Sequence, residues 1–150
     1  MDLKEQREFS KARRGECACS NLRKAGRAIT RLYDEELRPS GLRITQYGIL
    51  GVTMGMEPVT VTRLAEETVT DRTTLTRNLK ILEDRGFIHI REGSDRRERE
   101  VSLTKEGREA LAAAYPFWKK AQGRVMKELG EKQWDSLREG LSAVVSLFRE

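Results

Sequence analysis

The fold is decided by residues 60–104, TVTRLAEETVTDRTTLTRNLKILEDRGFIHIREGSDRREREVSLT. Thr60 is a good N-cap for a first short helix, because its hydroxyl can accept a hydrogen bond from a free backbone N–H of the first turn. Asp71 can cap a second helix that runs to Arg85, and Gly86 is suited to end it in a left-handed turn. Two short helices with a polar break between them predict a helix-turn-helix.

The second helix has two different sides. Its apolar residues recur at helical spacing and share one stripe: Leu75, Leu79 and Leu82. Its hydroxyls and cations fall on the other side: Thr73, Thr76, Arg77 and Lys80. Such a helix packs through the first side and offers polar groups to a partner on the second.

A basic hairpin follows the second helix. Residues 87–91 and 100–103 are short β-prone runs, and residues 92–99 between them are too polar to pack and contain a turn signal at Gly93. Helix, break, helix and hairpin form the outline of a winged helix-turn-helix, in which the second helix enters the major groove of DNA.

Composition permits a polyanionic partner without proving one, since scattered Lys and Arg also keep proteins soluble, and it supplies few groups for catalysis. The chain has 150 residues, enough for one domain, and a net charge of +5 that permits a polyanionic partner. With one histidine (His89), two cysteines, no paired carboxylates in a credible pocket and no phosphate-binding glycine loop, we expect no catalytic residues, metal or cofactor. No apolar run reaches membrane-spanning length and no secretory signal is present, so we expect a cytoplasmic chain without a membrane partner.

The flanking segments contain more apolar surface than a small winged helix can bury. Residues 19–37 predict one helix, Thr45 is the expected N-cap of another, and Gly130 separates two more after the hairpin. The last helix carries one apolar stripe: Trp134, Leu137, Leu141, Val144 or Val145, and Phe148. Packing against a second copy is the natural use of these stripes.

The predicted organisation is a single domain over residues 1–150. It consists of a mobile tail (1–15), with some helix in it as the alternative, dimerisation helices (16–38 and 105–150) and a winged helix-turn-helix (44–104). Within the last, the helix-turn-helix covers 60–86 and the wing 87–104.

Four motifs resemble one family of bacterial transcription factors, the MarR (multiple-antibiotic-resistance regulator) family. They are DRTTLTR at 71–77, LEDRGF at 82–87, SDRR at 94–97 and VSLTKEG at 101–107. Their order and spacing agree with the family, and the resemblance covers nearly the whole chain from about Cys17 onward. It implies a mainly α fold with a small β-hairpin wing, flanked by N- and C-terminal dimerisation helices, and a regulator of double-stranded DNA, typically a repressor released by small phenolic or other aromatic compounds.

The candidate DNA-binding residues lie on the second helix and the wing. On the helix, Arg can grip guanine and Thr offers a hydroxyl or a methyl group, which gives Arg72, Thr73, Thr76 and Arg77 as base readers, with Thr74 and Lys80 on adjoining backbone. On the wing, Arg96, Arg97 and Arg99 are the cations that can meet the minor groove, although Glu98 and Glu100 alternate with Arg99 and can pair with it. The alternative for each is a solvated surface role.

The family signature in the wing is an Asp followed two positions later by an Arg, which match Asp95 and Arg97. Physically, Asp95 can accept hydrogen bonds that hold the hairpin, leaving Arg97 or Arg96 for DNA.

A homodimer would place two recognition helices about 34 Å apart to read a pseudo-palindrome. A ligand lodged between the dimerisation helices and the reading domain would weaken binding by favouring another spacing. Tyr33, Tyr47, Tyr115 and Trp118 are the candidate lining residues of such a pocket; the alternative is that they pack in the core or the dimer interface.

Cys17 and Cys19 are candidates for thiol oxidation. Residues two apart on a helix point in nearly opposite directions, so a disulfide would require the helix start to unwind. The neighbouring basic residues Lys11, Arg13, Arg14 and Arg23 would favour a thiolate. The alternative makes Cys19 a small core residue and Cys17 an incidental surface thiol.

A different function class also fits the pattern. A winged helix can serve as a protein-interaction module without sequence-specific DNA binding, in which case the wing arginines have no DNA partner. Salt-dependent binding to duplex DNA separates the two classes, because phosphate contacts release counterions.

Overall fold

The computed structural model describes residues 2–13 and 15–147. Its helices are α1 (Leu3–Ala12), α2 (Ala18–Leu37), α3 (Ile44–Met56), α4 (Val61–Thr68), α5 (Arg72–Asp84), α6 (Lys105–Leu129) and α7 (Glu131–Ser146), with a 3-10 turn at Arg38–Ser40. Its strands are β1 (Val59–Thr60), β2 (Ile88–Glu92) and β3 (Arg99–Leu103). Arg14 and Phe148, named above, lie outside the described residues.

The apolar stripe of α5 is the centre of the core. Leu75, Leu79 and Leu82 are each no more than 1% exposed and belong to the same apolar cluster as Leu64 of α4 and Val101 of β3. The second helix therefore packs through the side that the sequence predicts, and α4, α5 and the β2–β3 hairpin form the predicted winged helix-turn-helix.

The three strands form one antiparallel sheet in the order β1-β3-β2. Val101 of the central strand pairs with Val59 on one side and Ile90 on the other. Strand residues alternate between the two faces of a sheet, so β3 buries Val101 and Leu103 while Ser102 between them stays half-buried. The wing thus has a buried base from which its polar tip extends.

A junction at Thr104 holds the wing, the end of α5 and the start of α6 together. The Thr104 hydroxyl donates to the Gly86 carbonyl (2.6 Å) and accepts from the Gly107 N–H (2.9 Å), and the Thr104 N–H donates to the Phe87 carbonyl (3.0 Å). A Cβ at position 107 would lie 1.9 Å from the Phe87 oxygen. Only glycine fits where α6 meets the loop after α5.

Glu57, at the end of α3, ties the same region to the first half of the chain. Its carboxylate accepts from the Leu103 N–H at 2.7 Å and forms an ion pair with Arg108 of α6. The Glu57 carboxylate thus binds both β3 and α6. Leu103, its partner in β3, is 46 residues further along the chain.

Helix α3 begins before Thr45, so the prediction that Thr45 is its N-cap is wrong. The Ile44 N–H donates to the Asp34 carboxylate of α2 at 2.8 Å, and the Arg43 N–H donates to the Gln46 side chain at 3.0 Å. The free N–H groups at the start of α3 are thus satisfied by Asp34 of the preceding helix and by Gln46, and not by the Thr45 hydroxyl.

Residues 3–12, within the segment predicted as a mobile tail, form α1. The Asp2 carboxylate accepts from the Lys4 and Glu5 N–H groups at 2.6 and 2.8 Å, and the Glu5 carboxylate accepts from the Asp2 N–H at 2.8 Å. This reciprocal capping box explains a helix in so polar a segment.

The apolar stripe of α7 remains exposed in the single chain. Leu137, Leu141 and Val145 follow one another at four-residue spacing, and each is 37–43% exposed. None of the helices in the described part of the chain is long and apolar enough to cross a membrane.

The Gly107 contact yields a stability prediction. Gly107→Ala should lower the free energy of unfolding by about 3 kcal/mol, because the added methyl group must displace backbone atoms of the α5–β2 loop. Gly48→Ala in α3 is the control: nothing lies within 4 Å of its Cβ position, so helix propensity should raise stability by about 0.5–1 kcal/mol. Urea unfolding measures both, and equal stabilities would contradict the packing described at Thr104.

A second stability prediction concerns Val69, which lies in the turn of the helix-turn-helix. It has φ 49° and ψ 45°, a left-handed conformation that costs a β-branched L-residue about 1–2 kcal/mol. Val69→Gly should therefore raise the free energy of unfolding by about 0.5–1 kcal/mol after the entropic cost of glycine. Thr68, the last residue of α4, provides the control: Thr68→Gly should lower the free energy of unfolding in the same thermal or urea melt. A lower free energy of unfolding in both variants would argue against strain at residue 69.

Candidate nucleic-acid interface

The start of α5 is held by its N-cap. The Asp71 carboxylate accepts from the Thr74 N–H at 2.8 Å. Hydrogen bonds from the side chain and backbone of Thr74 hold the pKa of Asp71 below its usual value, so the carboxylate stays charged at the positive end of the helix dipole. This cap fixes the first turn, where a recognition helix meets base edges.

All the predicted α5 residues are exposed: Arg72, Thr73, Thr74, Thr76, Arg77 and Lys80. Thr73 and Arg77 are one helical turn apart and face away from the buried leucine stripe, so they form the outermost part of the helix. Arg72 and Thr76 lie closer to that stripe, on the side toward the wing.

Some of these groups already have partners within the helix. The Thr76 hydroxyl donates to the Arg72 carbonyl at 2.7 Å, and the Lys80 ammonium lies 3.2 Å from the Asp84 carboxylate. Within residues 2–13 and 15–147, Arg72 and Arg77 have no carboxylate within 4 Å. These two guanidinium groups are therefore available to an anionic partner.

The tip of the wing is shaped by Asp95. Its carboxylate accepts from the Arg97 N–H at 2.9 Å, its carbonyl accepts from the Glu98 N–H at 2.9 Å, and the Gly93 N–H closes the turn on the Glu98 carbonyl at 3.0 Å. The Asp95 carboxylate thus holds the turn from within, and a role of Asp95 in DNA binding stays a prediction. Arg96 and Arg97 are left exposed at the tip.

Arg99 is the first residue of β3 and pairs with Glu92, where the strands of the wing meet its tip. It lines a groove between α5 and the wing, together with Arg72, Thr76 and Lys80, over apolar side chains that include Leu79 and Ile90. The structure thus brings Arg99 beside the recognition helix, whereas Arg96 and Arg97 occupy the tip. Three cations and one carboxylate, Glu83, share this groove.

Three of the four candidate pocket aromatics form one stack. Trp118 of α6 lies between Tyr47 of α3 (centroids 6.0 Å apart) and Tyr115 (5.9 Å), with rings inclined by 15° and 20°. Burial, followed by the neighbouring Tyr115, raises the pKa of Tyr47. Tyr33 is placed differently: its buried hydroxyl donates to Gln122 of α6, and burial raises its pKa. The stack joins α3 to α6.

Both cysteines are exposed free thiols at the start of α2. Cys17 is the N-cap, and its sulfur accepts from the Ser20 N–H at 3.5 Å. Cys19 lies in the first turn of the helix, so in the single chain it is not the core residue of the alternative interpretation.

Sequence reasoning missed the residues that position α5. The Arg85 guanidinium at the end of α5 donates to the Gly41 carbonyl at 3.0 Å and lies 4.5 Å over the Phe87 ring. Two carboxylates make similar long-range bonds at the ends of α3: Asp34 accepts from the Ile44 N–H at its start, and Glu57 at its end accepts from the Leu103 N–H. Their partners are 10 to 46 residues away, and no local pattern identifies such pairs.

Comparison with known proteins agrees with this architecture. A model of the MarR family matches residues 40–98. The chain is 36% identical to the M. tuberculosis transcriptional regulator MosR, whose structure was solved in complex with DNA; the similarity covers 87% of this chain and 95% of that chain, with a TM-score of 0.79.

Two further proteins extend the comparison. The HTH-type transcriptional regulator YwoH of Bacillus subtilis (strain 168) is 33% identical over 85 residues, which are 57% of this chain and 62% of that protein, less than two thirds of its length. CouR from Rhodococcus jostii RHA1 bound to p-coumaroyl-CoA is 22% identical over 83% of this chain and 88% of that chain (TM-score 0.72) and shares the fold. By its motifs, fold and relatives, the chain belongs to the MarR family of winged-helix DNA-binding transcriptional regulators.

Proposed function

We propose that the chain is a repressor that binds a pseudo-palindromic duplex operator as a homodimer, using α5 and the wing. The observation that carries the proposal is a set of exposed guanidinium groups without carboxylate partners in the described residues: Arg72 and Arg77 on α5, and Arg96 and Arg97 on the wing. Cations left unpaired next to a helix of the right size for the major groove suit a phosphate and base-edge partner.

In this proposal α5 reads bases through its outermost side. Arg77 grips guanine O6 and N7, and Thr73, one turn earlier, contacts a neighbouring base edge. Thr74 and Lys80 flank them and meet backbone, as does Thr76, whose hydroxyl proton is engaged with the Arg72 carbonyl. Arg72 and Arg99 line the α5–wing groove and would hold the phosphates between the two grips.

The wing supplies the second grip, in the minor groove. Asp95 keeps the tip in its turn, so that Arg96 and Arg97 extend from a fixed base. The narrow minor groove has an enhanced negative potential that attracts guanidinium groups. MosR, which is 36% identical to this chain, was solved in complex with DNA, and this supports DNA binding by the fold as a whole.

A second copy would cover the exposed apolar side chains of the flanking helices. Leu22 and Ile29 of α2 and the α7 stripe are uncovered in the single chain. Burying them removes apolar surface from water. A two-fold axis between the copies sets the separation of the two α5 helices at about 34 Å, one turn of B-DNA.

We further propose that a small aromatic compound modulates this spacing at the Tyr47–Trp118–Tyr115 stack. The stack connects α3 of the reading domain with α6, and half-exposed Tyr115 leaves one edge open to a flat ligand. Tyr33, anchored to Gln122 on the same helix, would limit the cavity on the α2 side. CouR, which shares the fold, was solved with p-coumaroyl-CoA.

Thiol oxidation at Cys17 and Cys19 is the second candidate signal. Hydrogen peroxide would take two electrons from the two thiols, forming one S–S bond and releasing two molecules of water. The bond requires the first turn of α2 to unwind, and it removes the sulfur that caps Ser20. Unwinding the start of α2 would shift this helix, and the shift would reach α3 through Asp34, which binds the Ile44 N–H near the other end of α2.

The DNA grips are tested by single substitutions. Arg77→Ala should weaken binding to a specific duplex by about 1–3 kcal/mol and relax the preference for one base pair in each half-site. Arg97→Ala should weaken binding to all duplexes and lower the salt slope by about one for each wing engaged in the dimer. Lys119→Ala on α6 also removes one positive charge, from an exposed residue outside α5 and the wing, and should change neither quantity. Fluorescence anisotropy over a salt series measures these effects. Salt-insensitive binding, or none, would favour the protein-interaction module instead.

The redox signal is tested with Cys17→Ser, which keeps an N-capping oxygen and removes one thiol. Peroxide should weaken operator binding by the wild-type chain at least about tenfold, a difference of about 1.4 kcal/mol, and leave the variant unchanged. Mass spectrometry of the peptide containing both cysteines should show the disulfide in the wild type alone. Equal responses of the two proteins to peroxide would rule out this thiol pair.

A further inference from the structure

Helix α2 carries a row of cations that lies outside the winged helix-turn-helix. Arg23, Arg27 and Arg31 follow one another at four-residue spacing and so lie on one side of the helix, with Lys24 beside them. All four are exposed, and within the part of the chain that the structure describes none has a carboxylate oxygen within 4 Å. We call these four residues the α2 ridge.

The α2 ridge points away from the rest of the fold. The opposite side of α2 packs on α6: Glu36 forms ion pairs with Lys120 (2.8 Å) and Arg124 (2.7 Å), and Tyr33 bonds to Gln122. The exposed apolar residues Leu22 and Ile29 also fall on that side. Covering the apolar side with a second copy therefore leaves the ridge in solvent.

The shape of the ridge selects an extended anion. The concavity at the ridge is lined by α2 residues alone, including Gly26 and Ala28, so no second element encloses a small ligand there. Arg23 to Arg31 spans about 12 Å of helix axis, a length over which duplex DNA presents about seven phosphates. Arginine also pairs with phosphate in two-pronged geometry.

The ridge is also continuous with the reading domain. Arg31 lines a second concavity with Arg38 and Arg43 at the α2–α3 corner; Asp34 and Glu35 are the acidic groups there, and Asp34 is engaged with the Ile44 N–H. The same corner is tied to the end of α5 by the bond between Arg85 and the Gly41 carbonyl. Cations thus extend from the corner beside α5 along the outside of α2.

We propose that the α2 ridge binds the phosphate backbone of duplex DNA that flanks the operator. This rests on the proposed function, since the operator must first be held by α5 and the wing. DNA leaving each half-site bends toward the outer side of its subunit, and the ridge neutralises phosphates there without reading sequence. The dimer would then contact more DNA than its two recognition helices cover.

The test compares two duplexes carrying the same selected operator, one of about 24 and one of about 60 base pairs, across a salt series with the full-length chain. The wild-type salt slope should be steeper on the long duplex. Arg27→Gln/Arg31→Gln should lower the slope on the long duplex by about two for each engaged ridge and leave the short duplex unaffected. Hydroxyl-radical footprints should lose protection in the flanks only.

Lys119→Gln/Lys127→Gln on α6 is the matched control, because it removes the same charge from exposed positions off the ridge and should reproduce wild-type behaviour on both duplexes. Equal wild-type slopes on the two duplexes, or a ridge variant that weakens the short duplex as much as the long one, overturn the flank proposal alone. Failure to bind either duplex overturns the proposed function together with it.

Discussion

The burial of one side of α5 is the constraint on which the rest of the structure depends. Leu75, Leu79 and Leu82 lie under the sheet and against α4, and together they remove from water the surface that a 13-residue helix needs to stay docked. Because helical geometry then fixes every other side chain on α5, Thr73 and Arg77 can only face outward. A polar surface for DNA follows from an apolar packing requirement.

A few long-range polar contacts decide where this helix sits. Thr104 joins the loop after α5 to the start of α6, and Arg85 joins the end of α5 to Gly41 at the α2–α3 corner. The winged helix-turn-helix is therefore attached to α2, which carries the exposed Leu22 and Ile29, and to α6, which leads into the exposed apolar stripe of α7. Any event that repositioned those helices would move α5 as a rigid part, and the proposed control by a ligand or by oxidation would act in this way.

The winged helix-turn-helix could be predicted from the sequence because its signals are local. Leucine spacing, N-capping by Asp71 and a left-handed Gly86 each act within a few residues, and the structure has all three. The N-cap of α3 was predicted wrongly because Asp34 supplies the acceptor from another helix. Exposure of the α5 and wing candidates also followed from pattern alone. The aromatic stack and the placement of Arg99 in the α5–wing groove did not, since they depend on how distant elements meet.

In the proposed dimer, two outward-facing copies of α5 lie one turn of B-DNA apart and read one side of a duplex. Selection of bound duplexes from a random pool by the purified chain tests it most directly. The account predicts enrichment of an inverted repeat whose half-sites are centred about 10 base pairs apart, with guanine at a defined position in each half. Recovery of a single unrepeated site, or of no sequence above the starting pool at low salt, would contradict it.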